Sequence, residues 1–180
     1  MKKIICVLSV ILSAAYSLYY ASLGGFKEGN SGALSKIGLS HPLLFIIWGA
    51  LTFFALCCNI TYGYSKTKYT FYRYLLILSE IGMILTLFFH FDYAERTQYF
   101  IHCTGSLTFS VVTGITVLLL FALSKKYVLS IICGAVLVSD FILLLIFKET
   151  ALIELFPIFS GYIMLLIYNL RKERDPLEIK

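Results

Sequence analysis

The sequence predicts an all-α fold, an integral membrane bundle of six transmembrane helices, and three observations carry that expectation. Hydrophobic residues make up 59% of the 180 residues, where soluble globular chains hold roughly 45–50%. Charged residues are only 14% and gather in short clusters between long apolar runs. Six of those runs reach the about 20 residues that a helix needs to cross a hydrocarbon core about 30 Å thick. The composition argues against a water-soluble domain. It also argues against a nucleic-acid partner, because the net charge of +5 belongs to no basic run presented by a soluble fold.

The first span, residues 4–23, follows Lys2 and Lys3 and carries Ser9, Ser13 and Ser17 at helical spacing, the small-residue stripe by which helices pack in a membrane. The same N-terminus has a competing reading as a cleaved secretory signal ending near Tyr20-Ala21-Ser22, which would leave five helices. The connection 24–41 is long enough to hold structure of its own. The second span, 42–63, opens on Pro42; Trp48 and Gly49 within it read as packing. Its sequon, Asn59-Ile60-Thr61, falls at the cytoplasmic end, out of reach of glycosylation. The third span is 71–91, the fourth 101–123, the fifth 127–147 and the sixth 150–170. Pro157 removes a backbone hydrogen bond in the last and should kink it, with Ser160 and Gly161 allowing a neighbour close. Short connections after the second to fifth spans place consecutive helices antiparallel. The expectation is therefore one domain, 1–180, without internal repeats. Cys6, Cys57, Cys58, Cys103 and Cys133 all lie in apolar spans without metal-ligand spacing, so they read as small packing residues rather than a disulfide framework.

Lysine and arginine set the orientation, since cytoplasmic connections carry their excess. With the N-terminus inside, the cytoplasmic set is Lys2, Lys3, Lys66, Lys68, Arg73, Lys125, Lys126, Arg171, Lys172, Arg174 and Lys180; the outer set is Lys27, Lys36, Arg96 and Lys148. The asymmetry predicts a multi-pass cell-membrane protein with both termini cytoplasmic. Tyr16, Tyr19 and Tyr20 near one end of the first span, and Tyr62, Tyr64, Tyr69, Tyr72 and Tyr74 around the second cytoplasmic connection, suit interfacial belts.

Polar side chains inside such spans are costly and mark function by default. His41, His90 and His102 all fall toward the outer side, with Asp92 two residues beyond His90, Glu154 at the outer start of the last span, and Asp140 about 10 Å deep at 1.5 Å per residue. In the fourth span His102, Ser106, Ser110 and Thr113 share one face; in the third, Ser79, Gly82, Thr86 and His90 do. If the two stripes meet, His90 approaches His102 with Thr86 and Ser106 below. Glu80 lies about 80° off the third-span stripe and points to another neighbour. Three readings stay open. The polar groups form a hydrogen-bonded plug that fixes register. Alternatively, His41, His90 and His102 bind zinc while Asp92, Ser106 or Asp140 serves hydrolysis. The third reading is a ligand or ion pocket of Glu80, Thr86, Asp140 and Glu154. No HExxH, GxSxG, phosphate loop or dinucleotide fingerprint appears.

Leu34-Ser35-Lys36-Ile37-Gly38 before the proline-led Pro42-Leu43-Leu44-Phe45, an aromatic-rich turn closing the third span, and Phe100-Ile101-His102 with Gly105 and Phe109 opening the fourth resemble the Frag/DRAM/Sfk group of six-helix membrane proteins. They also resemble its bacterial relatives, a domain of unknown function (number 998). The resemblance implies a six-helix bundle, with eukaryotic members linked to GPI-lipid remodelling and autophagy. Only His102 transfers as a motif position, and His90 stands where a proline often closes the third helix. Ser79, His90, Asp92 and His102 also look like scattered elements of the alkaline-ceramidase and adiponectin-receptor hydrolases. Those usually have seven helices and C-terminal histidines, which this chain lacks.

The functional expectation is a multi-pass membrane protein with an outward-facing polar pocket for a lipid or small ligand; a metal-dependent membrane lipid hydrolase is the alternative. The orientation is checked by cysteine-accessibility labelling in intact cells. Positions 65 and 180 should be protected and position 30 reactive from outside; outside labelling at 180 would reverse the assignment.

Overall fold

The computed structural model describes residues 1–25, 32–147 and 150–171. Among them are seven helices and no strand: α1 (Lys2–Ser22), α2 (Leu34–Ser40), α3 (Pro42–Tyr64), α4 (Tyr72–Phe88), α5 (Arg96–Leu123), α6 (Tyr127–Phe147) and α7 (Ala151–Leu170). Five of these, α1, α3, α5, α6 and α7, are long and apolar enough to cross a membrane. The predicted third span is shorter than expected. Its helix α4 has 17 residues, and Phe89 leaves it in an extended conformation. Phe91, almost fully buried, then packs its ring against Tyr99 and His102 at 5.1 and 5.3 Å between centroids. Burying that ring favours an extended exit over another helical turn. The connection 24–41 holds α2, the extra short helix, while Lys27, Asn30, Lys148, Lys172, Arg174 and Lys180 lie outside the described residues.

Helix α3 is central: α1, α2, α4, α5 and α7 all pack on it. Helix α6 packs on α5 and α7 and buries only Leu129 and Cys133, so most of its apolar surface faces outward. The core has two parts. One runs through α3, α5 and α7 around Leu56, Ile60, Leu120, Phe121 and Leu165. The other gathers Tyr20, Leu34, Phe45, Trp48 and Leu155 at the end of the bundle that carries α2.

The serine stripe of α1 is buried at Ser9, Ser13 and Ser17. Ser13 meets Tyr162 at 2.7 Å and Ser17 accepts from Trp48 Nε1 at 3.1 Å. Asn59 of the sequon is fully buried and donates to the carbonyls of Cys6 at 3.2 Å and Ala55 at 2.9 Å. Asn169 of α7 donates in turn to the Asn59 side chain at 3.1 Å. The five cysteines are free thiols.

Helices α4 and α5 form the most extensive pair, and glycine sets their separation. A Cβ added to Gly82 would lie 2.7 Å from the Phe109 amide nitrogen and 2.8 Å from the Gly105 carbonyl oxygen. One added to Gly105 would lie 2.7 Å from the Gly82 carbonyl oxygen. Both neighbours are backbone, which cannot swing aside. Gly82→Ala should therefore destabilise the protein by about 1–3 kcal/mol through overpacking. Gly134→Ala, where the added carbon meets nothing within 4 Å, should be neutral or gain up to about 1 kcal/mol of helix propensity. Thermal unfolding in detergent compares the two; equal melting of Gly82→Ala and the unmodified protein would contradict this packing.

Candidate functional site

The α4 stripe meets α5 as expected, but on a different line. Ser79 is within 2.5 Å of the Thr113 hydroxyl, and the buried face of α5 is His102, Gly105, Phe109, Thr113 and Thr116, rather than His102, Ser106, Ser110 and Thr113. Glycine at 82 and 105 draws the helices together along that line and rotates Ser106 and Ser110 away from α4. Both serines instead line a cavity of about 290 Å³ walled mainly by α5, α6 and α7, with Trp48 of α3 and Ser35 of α2 also contributing.

Most of the wall is apolar. Its polar side chains include Ser35, Thr86, His102, Ser106, Asp140 and Glu154, whereas no lysine or arginine lines it among the described residues. Asp140 comes from the face that α6 turns inward, seven residues before the helix ends at Phe147, and its Oδ1 is buried without a hydrogen-bond partner. Glu154 sits one turn into α7. Its carboxylate accepts from the Leu34 amide at 2.5 Å and from the Ser35 hydroxyl at 3.3 Å, placing a negative charge on the open amides at the start of α2, where the helix dipole favours it. Tyr20 fixes the same segment by donating to the Leu34 carbonyl at 2.9 Å. The sequence marked Glu154 as polar and outward but gave no sign of this partner, which is a backbone group and leaves no residue-type signature.

His102 is 1% exposed. Its Nδ1 lies 2.9 Å from the Phe89 carbonyl, which can only accept, so Nδ1 carries the proton and Nε2 is an acceptor in the neutral ring. The Thr86 backbone lies against the same ring, yet Nε2 has no hydrogen-bond partner. The imidazole thus ties the extended exit from α4 to α5, which explains why His90 does not meet it: the chain turns outward at Phe89, and His90 is exposed.

The polar residues divide as follows. Thr86, Ser106, Asp140 and Glu154 share the cavity with His102. Glu80 is exposed on another face of α4. Asp92 accepts from the Ala94 amide at 3.0 Å in a local turn. His41 is exposed at the junction of α2 and α3, and His90 donates its amide to the Gln98 side chain at 3.2 Å. Among the described residues, no three His, Cys, Asp or Glu side chains are grouped to hold a metal ion, so His41, His90 and His102 are not brought together as ligands. Pro157 also lines the cavity together with Ile153 and Gly161. Lacking an N–H, it leaves the Ile153 carbonyl without the donor that would normally occupy it.

No family model, no curated protein and no solved structure matches this chain.

The Glu154 contact makes a local prediction. Glu154→Ala should raise amide exchange across residues 34–40 by about tenfold or more, the equivalent of losing roughly 1.4 kcal/mol of charge-assisted bonding, while exchange in α3 stays unchanged. Hydrogen–deuterium exchange read by mass spectrometry measures both; unaltered protection of α2 would remove the assignment.

Proposed function

We propose that this chain is a multi-pass protein of the cell membrane, with six spans and cytoplasmic termini, that holds an amphiphilic lipid or small ligand in the cavity between α5, α6 and α7. The carrying observation is the make-up of the cavity's wall: apolar over most of its area, with the polar side chains of Asp140, Glu154, His102 and Ser35 among its lining residues. Ligand sites combine such apolar walls with a few polar groups that fix orientation, in volumes from about 300 Å³ upward. A lone carboxylate on an apolar helix is costly in lipid unless it faces the protein interior, which favours the functional over the decorative reading of Asp140.

Five spans are long helices. The sixth is α4, about 25 Å long at 1.5 Å per residue, a mismatch that a bilayer accommodates by local thinning and by interfacial side chains at its ends. Under the positive-inside rule the α2 end then faces outward, so the polar mouth of the cavity lies at the outer leaflet. The thin wall formed by α6, with its opposite face outward, suits lateral entry from the bilayer. Kinship with the Frag/DRAM/Sfk group and its bacterial relatives belongs to the same proposal, with His102 in the wall of the pocket.

Gly161 supplies the test. It lines the cavity and a Cβ added there meets nothing within 4 Å, so Gly161→Leu should fill the space without strain and gain up to about 1 kcal/mol of helix propensity. Native mass spectrometry of protein purified in mild detergent should find a bound amphiphile on the unmodified chain and its loss from the folded variant. Equal retention by Gly161→Leu would place the ligand elsewhere, and an unmodified protein that takes up no amphiphile would refute the reading.

A further inference from the structure

Two of the side chains that line the cavity, Asp140 and His102, carry acceptor atoms that nothing in the protein satisfies. Asp140 Oδ1 is buried without a partner, and so is Nε2 of His102, a side chain 1% exposed. The Phe89 carbonyl holds the ring proton on Nδ1, 2.9 Å away, so the unpaired nitrogen offers a lone pair. The Ile153 carbonyl lacks its usual helical donor because Pro157 follows four residues on. Donors are scarcer: the Ser35 hydroxyl is committed to Glu154 and the Thr86 hydroxyl to the Gly82 carbonyl, leaving the rotatable hydroxyls of Ser106 and Ser110. Asp140 adds a carboxylate oxygen without a partner, and no lysine or arginine is among the described lining residues. Trp48 and Phe45, stacked at 5.5 Å between centroids, add aromatic wall, and such rings attract a cation.

We infer that the cavity selects a lipophilic amine: an apolar chain or ring system bearing a protonated primary or secondary amino group, which donates to Asp140 and to the neighbouring acceptors while its apolar part lies along α5, α6 and α7. The inference rests on the reading of the cavity as an amphiphile site and adds the head-group chemistry. A carboxylate or phosphate head would meet the like charge of Asp140. A hydroxyl head can donate one hydrogen bond but leaves the carboxylate without a counter-ion in an apolar wall, where an uncompensated charge is costly.

The chain contains a single tryptophan, and Trp48 lines the cavity, so its fluorescence reports occupancy without added labels. Full-length protein in nanodiscs of a zwitterionic phosphatidylcholine is titrated with three probes of one chain length brominated close to the head group: an alkylamine, an alkyl alcohol and an alkyl carboxylate. Quenching in the occluded Gly161→Leu variant gives the contribution of probe dissolved in the bilayer. At neutral pH the amine should quench saturably with at least about tenfold higher affinity than the alcohol, and the carboxylate should bind weakest. Asp140→Asn should abolish the preference for amine over alcohol while leaving the alcohol affinity within about twofold. Equal binding of amine and alcohol, tighter binding of the carboxylate, or an amine preference that survives in Asp140→Asn would overturn the inference while leaving an amphiphile site standing. No saturable quenching by any probe would overturn both. The head-group comparison on the unmodified chain decides the matter by itself if Asp140→Asn does not fold.

Discussion

The hydroxyl of Tyr162 joins three helices: it meets Ser13 of α1 at 2.7 Å and the Thr52 carbonyl of α3 at 3.5 Å from its position on α7. Toward the other end of the bundle, Asn169 of α7 donates to the Asn59 carbonyl at 3.0 Å, while Asn59 donates to Cys6 of α1 at 3.2 Å. In an apolar bundle such bonds matter because lipid is as good a solvent for leucine as another helix is, so apolar contact alone selects no particular partner. Each polar pair contributes about 0.6–2 kcal/mol and, more importantly, specifies a register. The α1/α3/α7 seam fixes where the last helix lies after the chain has passed through α4, α5 and α6.

The cavity follows from that placement. With α7 held against α1 and α3, and α5 held to α4 by Gly82 and Gly105, α6 spans the remaining gap. It has a narrow buried face of Leu129 and Cys133. The space left behind it is open at Gly161, where no atom approaches the missing side chain. Pro157 and Glu154 sit on the same helix, so the seam also positions the Ile153 carbonyl, which lacks its i+4 donor, and the carboxylate that holds α2. A protein that needed only a tight core would fill this gap; here it is lined by Asp140, whose Oδ1 has no partner.

Much of the helical architecture was legible because apolar runs, prolines and charge clusters are local signals. Lys66 shows such a signal in use: its ammonium donates to the Asn169 carbonyl at 3.1 Å, over Tyr62 and Tyr168. The shortening of α4 was not legible, since it depends on burial of Phe91 beneath residues eight and eleven positions later. Nor was α2, a seven-residue helix whose first amide is met by Glu154, 120 residues away. The polar stripes of α4 and α5 predict His90 against His102 with Thr86 and Ser106 below; Thr86, His102 and Ser106 share one cavity, but the contact line runs through Gly105, which carries no polar atom to mark it, and His90 lies outside. Asp140 and Glu154 were visible as charges in apolar helices. Ser35 was visible only within the pattern that resembled a family. The three histidines shared a side of the sequence diagram without sharing a site, since equal depth says nothing about position around the bundle.

Whether the gap behind α6 is an occupied binding site decides the role of Asp140. A cryo-electron-microscopy structure of the purified protein in a native-lipid nanodisc tests this most directly. An occupied site gives elongated non-protein density along α5, α6 and α7, with its head within hydrogen-bond distance, about 2.7–3.2 Å, of the Asp140 carboxylate. A gap closed by inward movement of α6, or one holding only water bridged between Asp140 and His102, would contradict it.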